Sequence, residues 1–259
     1  LGGNWDCEPP DRALRDRQAD PGGDAFKLLR TPSIAMLIGN GIDAPAAGSL
    51  WHLFERLGAS VSLLDIATLG VRDLRRYDVL IAPHGNVDVA PLHDRRWVEN
   101  GGTLVAIAGA ARSLARARQF ALTLADLGNG AGSAGPVLAA GPAARHFLPA
   151  DYPIESGAAS TVPSARYLPR GCYLRADVEA GHWLTHGVDA RVPVLFREDG
   201  VLSLSGNAEI LMRFANGADL PMSGLIWPEA VAAIAGTPCL VRERCGLGQV
   251  ISFAWDPVF

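Results

Sequence analysis

The sequence predicts an α/β protein: a mainly parallel, doubly wound sheet in the first half and a β-rich second half. Three observations carry this. Short continuous apolar runs of strand length recur through the first 110 residues: SIAMLIG, VSLLD, VLIA and TLVAI. The first of them has the pattern of a strand buried on both faces. They alternate with polar or amphipathic segments, the rhythm of βαβ units. Beyond a stretch of Gly, Ala, Ser and Pro at 128–142, short strand-like segments dominate.

In order, residues 33–39 (SIAMLIG) form the first strand, which breaks at Asn40-Gly41. The next helix carries Leu50, Leu53, Phe54 and Leu57 at i, i+3, i+4 and i+7, one apolar stripe, and Gly58 ends it. Residues 61–65 (VSLLD) are the second strand. The polar connector LGVRDLRRYD leads to the third, 79–82 (VLIA), which Pro83-His84-Gly85-Asn86 breaks. A short polar helix, DRRWVENGG, is closed by Gly101 and Gly102 and leads to the fourth strand, 103–107. Residues 111–127, rich in Ala, Leu and Arg, read as a long helix. Right-handed crossovers place helices on both faces, and the expected strand order is 2-1-3-4.

In the second half, strands are expected at 173–178, 192–196, 201–204, 210–214, 240–244 and 250–255, with a short helix at 228–234. The turn CGLG at 245–248 makes a hairpin of the last two strands. Residues 1–30, with mixed charge, three prolines and two Gly-Gly pairs, read as an arm or linker from an upstream region. Residues 31–259 are then one domain.

Composition excludes several classes. The chain has 259 residues, 49% hydrophobic and 19% charged, enough for a sizeable core. A net charge of −4 and the lack of a basic stripe with interleaved aromatics argue against nucleic acid. The longest apolar runs are too short to span a bilayer, so no membrane partner is expected. The start has no apolar signal core and no Met, which reads as a mature chain or a fragment. Cys7, Cys172, Cys239 and Cys245 have no CxxC spacing. Cys239 and Cys245 would sit roughly 20 Å apart along one strand, beyond disulfide reach. Buried free thiols are expected, and they do not report the compartment.

Several segments together resemble the class I glutamine amidotransferase-like domain found C-terminally in zinc carboxypeptidase-like proteins. They are TPSIAMLIGNGID, SLWHLFERLGASVSLLD, LRRYDVLIAPHG, WVENGGTLVAIAGAARSLA, LRADVEAGHWLTHGV, VPVLFR, SGLIWPEA and GLGQVISFAWDPVF. They cover most of residues 31–259, and their order and spacing carry the resemblance. It implies a flavodoxin-like three-layer sandwich and an accessory role beside an upstream zinc peptidase-like domain. A secreted or periplasmic location fits it. His186 stands where relatives often carry Tyr or Ala, and Trp183 where they often carry Pro. Relatives also continue past the position of Phe259 into a closing helix.

The segment LVAIAGAAR is the pivot for function. A strand running through a tight turn into a helix is where α/β hydrolases and amidotransferases present a nucleophile. Amidotransferases need a Cys there, activated by a nearby His. Here the turn holds Ala108, Gly109, Ala110 and Ala111. Ser113 lies one turn into the helix, and no G-x-S-x-G is present. No catalytic residue is therefore assigned.

Other motifs have simpler readings. His52 and Glu55 spell H-x-x-E, but no second His follows at a suitable distance, so a solvated helix face is the expectation. His182 and His186 are four apart but flanked by Gly181 and Gly187, which reads as a turn rather than a metal-binding helix. Asp256-Pro257 reads as a strand-ending turn. No metal ligand and no cofactor are assigned. The ligand-crevice candidates are Asn40, Gly41, His84, Gly85, Asn86, Gly109 and Ala110. All follow parallel strands on one sheet edge, where open α/β sheets bind ligands, and backbone N–H groups there suit a small anion or carboxylate. Loops that need Gly for their own turns are the competing explanation.

Three functions are thus in competition. One is a non-catalytic accessory or ligand-binding module. The second is a hydrolase using His84 with an acid such as Asp43. The third is a structural interaction or dimerisation domain.

Overall fold

A computed structural model of the chain describes residues 30–87, 95–125, 168–169, 171–197 and 200–258. The arm at 1–29 and the loop at 128–142 lie outside the described residues, as does Cys7. Residues Ser33–Phe259 form one compact unit. Residues 30–32 of the preceding unit are exposed and without regular structure.

Strand β1 (Ile34–Ile38) is followed by helix α1 (Ala44–Arg56). Asp43 caps this helix by accepting the Ala46 N–H at 2.9 Å, and proline occupies the first turn, where its missing N–H costs nothing. Gly58, at φ +66°, follows the last turn as expected. Strand β2 (Val61–Asp65) and two 3₁₀ turns, Ile66–Val71 and Leu74–Arg76, lead to β3 (Val79–Ala82). Asp65 and Asp73 each cap the 3₁₀ turn that follows them. Helix α2 (Arg95–Glu99) and strand β4 (Thr103–Ile107) run into helix α3 (Gly109–Ala117). Then come β5 (Leu122–Leu124), β6 (Cys172–Val178), β7 (Arg191–Phe196), β8 (Leu202–Leu204), β9 (Glu209–Phe214), β10 (Pro221–Ser223), helix α4 (Pro228–Ile234), β11 (Pro238–Cys245) and β12 (Gly248–Phe253).

The ten-stranded main sheet runs β10-β6-β9-β11-β12-β4-β3-β1-β2, with β7 on the free side of β6. Strands β2, β1, β3 and β4 are parallel in the expected order, and the fold is a flavodoxin-like α/β fold. The parallel set extends one strand further, because β12 pairs with β4 in parallel while also forming the expected hairpin with β11.

Alternate residues of each strand face opposite layers. On one face Met36, Ile81 and Ile107 pack under Leu50 of α1. On the other, Ala35, Leu37, Leu80, Ala82, Leu104 and Ala106 pack against Val98 of α2 and Ala110, Ala111 and Leu114 of α3. Helices therefore cover both faces. Among the described helices none is long and apolar enough to cross a membrane.

The structure departs from the sequence reading at several elements, among them β10, which was not expected. The helix expected over 111–127 stops at Ala117, where Arg118 turns into the left-handed region at φ 53°. Phe120, Leu122 and Leu124 then alternate with period two, and β5 pairs with β8 in a separate two-stranded sheet. Ala- and Arg-rich composition masked that alternation. The carboxylate of Glu243 anchors the switch by accepting the Ala121 N–H at 2.6 Å. In α1, the apolar stripe is only partly covered: Leu50 is buried, Leu53 is 38% exposed and Leu57 68%.

The described cysteines are free and buried, as expected. Burial pushes the Cys172 thiol up to about 11, and drives Cys239 upward as well.

Candidate functional site

The turns after β1, β3 and β4 meet at the C-terminal edge of the parallel strands. Ile42 and Gly85 form an antiparallel bridge, and the Asp43 N–H donates to the His84 carbonyl at 2.9 Å. The contact is backbone on backbone. A Cβ on Gly85 would overlap the Gly41 carbonyl oxygen, and one on Gly109 would overlap the Gly85 carbonyl oxygen. Gly85 and Gly109 have ordinary φ, so close approach is what requires glycine there.

The turn between β4 and α3 is an elbow. Ala108 has φ 49° and ψ −108°, a conformation that costs an L-residue of order 1–3 kcal/mol. Its N–H donates to the Phe253 carbonyl at 2.8 Å, and its carbonyl accepts from the Arg112 N–H at 3.1 Å. This is the strained strand-to-helix geometry that presents a nucleophile elsewhere. Here it presents a methyl group.

That methyl is not presented to solvent. Ala108 is 0% exposed and belongs to the apolar cluster of Met36, Leu50, Ile81 and Ile107. Phe253 and Val258, from the second half of the chain, pack against the same cluster. Gly109 and Ala110 are buried too, whereas Asn40, Gly41 and Asn86 are exposed and His84 and Gly85 half-buried. The crevice candidates thus converge, but as a tightly packed floor beneath an exposed rim.

His84 closes the floor. Its Nδ1 accepts the Gly109 N–H at 3.3 Å. The donor that would face an oxyanion in an active elbow is therefore engaged by a side chain. Asp43, the acid paired with His84 in the hydrolase reading, gives its carboxylate to the α1 cap. Two described grooves, of about 400 and 140 Å³, lie elsewhere and include no elbow residue.

The other singled-out residues have structural roles. His52 and Glu55 are an exposed i, i+3 pair 3.8 Å apart on α1. His182 caps the 3₁₀ turn Trp183–Thr185, its Nδ1 accepting the Leu184 N–H at 3.1 Å, and its Nε2 lies 3.5 Å from Glu209. His186 ends the same turn. The Arg242 guanidinium, 2.8 Å from Glu209, holds that carboxyl below the usual range, with Arg244 and His182 adding to the effect. Asp256 accepts the Val258 N–H at 3.0 Å and forms the expected turn. Among the described residues no three His, Cys, Asp or Glu side chains converge as metal ligands would.

No family model matches the chain, and no curated protein matches it. Solved structures do. The chain is similar to a β-galactosidase from Bacillus circulans sp. alkalophilus, at 12% identity and TM-score 0.50 over 86% of this chain and 28% of that one. A β-galactosidase from Rahnella sp. R3 is similar at 13% identity and TM-score 0.50, with the same coverage. A glutamine amidotransferase from Thermotoga maritima is similar at 8% identity and TM-score 0.49, over 87% of this chain and 76% of that one. For the two β-galactosidases the likeness is one of fold alone. The chain spans a little over a quarter of the two β-galactosidases.

Proposed function

We propose that this chain is a non-catalytic, amidotransferase-like accessory module of a larger hydrolase. One observation carries the reading: the elbow backbone is present, but its side chain is the fully buried methyl of Ala108. A strained elbow kept without a reactive atom serves packing. The similar fold in the two β-galactosidases makes up a minor part of a longer chain, which supports the idea of a module. The sequence segments quoted above favour a zinc carboxypeptidase-like parent, with the peptidase domain upstream. The isolated chain is expected to turn over glutamine, simple esters and peptides no faster than buffer, with or without added zinc. Turnover that disappears in His84→Ala but survives in His52→Ala would establish the hydrolase reading instead.

The exposed rim of Asn40, Gly41 and Asn86 beside His84 is the part of the site open to a ligand. We propose a small carboxylate as its occupant, accepting from Asn side chains and from the Gly109 N–H once the imidazole swings aside. Titration with acetate, followed by amide chemical shifts, is expected to move Gly41, Gly85 and Gly109 saturably. Shifts that grow linearly, or that spread evenly over the surface, would remove the ligand role and leave the packing role.

A further inference from the structure

We propose that the outer edge of β2 pairs with β2 of a second copy of this chain, antiparallel about a two-fold axis at Leu63. The three edges of the main sheet are treated differently by the sequence. At the far end, β7 carries Pro193 mid-strand and opens on Arg191, while β10 is three residues long, begins with Pro221 and has a register shift. Proline, charge, shortness and bulges are the devices that keep a sheet edge from pairing. Strand β2 has no proline and no bulge, and no charge before its last residue. VSLLD runs in unbroken five-residue register with β1, contains no proline or basic residue, and meets its only charge at its last position. No described strand lies on its outer side.

The side chains around that edge are apolar and uncovered. Leu63 is in register with Met36, which packs under α1, so Leu63 projects onto the α1 face, and it is 48% exposed. Leu53 of α1 and Leu57 at its C-cap are also exposed.

A second copy fits this edge because the strand is complementary to itself. A two-fold axis at Leu63 sets Leu63 against Leu63, Ser62 against Leu64, and Val61 against Asp65. No like charges meet, and Asp65 stays engaged through its carboxylate with the Ala67 N–H. Residues opposed across a two-fold make an isologous, closed contact. Backbone hydrogen bonds would supply affinity, and the leucines would bury their exposed surface.

Sedimentation of the full chain tests the pairing. A dimer is expected at micromolar concentration. Leu63→Lys is expected to raise its dissociation constant at least about tenfold, with circular dichroism unchanged, and with Tm unchanged once both proteins are diluted to monomers, because Leu63 is half solvated. In a Cys7→Ser background, Leu63→Cys is expected to give a disulfide-linked dimer on mild oxidation. The two-fold sets the substituted Cβ atoms roughly 4.5–5.5 Å apart, so a small closing movement of the two edge strands brings them within disulfide reach of about 4.5 Å. Val71→Cys, at an exposed position off the strand, is the control. Three results would each overturn the proposal. The wild type could stay monomeric at the highest attainable concentration, as an edge reserved for a foreign strand would require. The dimer could be indifferent to Leu63→Lys, or Leu63→Cys could cross-link no faster than Val71→Cys.

Discussion

Gly109→Ala is expected to destabilise the protein by at least about 3 kcal/mol, near the top of the range for single substitutions. A methyl group at this position overlaps the carbonyl oxygen of Gly85 and crowds its nitrogen and carbonyl carbon at 2.8 Å. Every one of these atoms is backbone, so no side-chain rotation relieves the clash. Gly85 in turn has no room against Gly41, so a displaced Gly85 pushes the first turn as well. The hydrogen bond from the Gly109 N–H to His84 would lengthen in the same movement. For a domain of this size the loss corresponds to a fall in Tm of roughly 6–12 °C. Gly58→Ala is the comparison. Gly58, unlike Gly109, has a left-handed φ, but nothing stands near its Cβ position, so only the backbone cost of about 1 kcal/mol applies. Urea denaturation of the two variants measures the difference. Equal losses would mean that the three turns are not packed on one another.

Much of the parallel core was legible because it depends on local pattern. Strands buried on both faces need unbroken apolar runs, and SIAMLIG, VLIA and TLVAI supply them, while VSLLD gives a strand of the right length that lies half exposed at the sheet edge. The order 2-1-3-4 follows from connection lengths and crossover handedness. The pairing of β12 with β4 was not legible. It joins Gln249 to Thr103 across most of the chain, and no local signal marks a hairpin strand as also a parallel neighbour. Strand β5 was hidden by composition, since Ala and Arg favour helix while Phe120, Leu122 and Leu124 alternate as a strand. Strand β10 is too short to carry a pattern.

The candidate site divides the same way. The elbow at Ala108 could be read from a strand ending in Ala-Gly before a helix, and the three converging turns from their place after parallel strands. The seal over the elbow could not be read. It depends on Phe253, the last residue of β12, and Val258 beyond it packing on the α1 face, and on the ring orientation that brings His84 Nδ1 to the Gly109 N–H. Both are tertiary facts.

A thiol placed at the elbow tests that seal. Cysteine is the residue this backbone geometry presents in amidotransferase-type catalysis, and an open elbow would expose and activate it. Ala108 instead lies at 0% exposure among apolar side chains, the kind of burial that raises Cys172 to about 11. A buried thiol in such surroundings is mostly protonated at neutral pH and shielded from reagents. The direct measurement is the rate of iodoacetamide alkylation of Ala108→Cys in a Cys7→Ser background, native and in urea, at neutral pH. The expected result is native labelling at least about a hundredfold slower than in urea, with no gain of glutaminase activity. Rapid native labelling, faster than in urea and lost on His84→Ala, would contradict it and show an open, primed elbow that lacks only its sulfur.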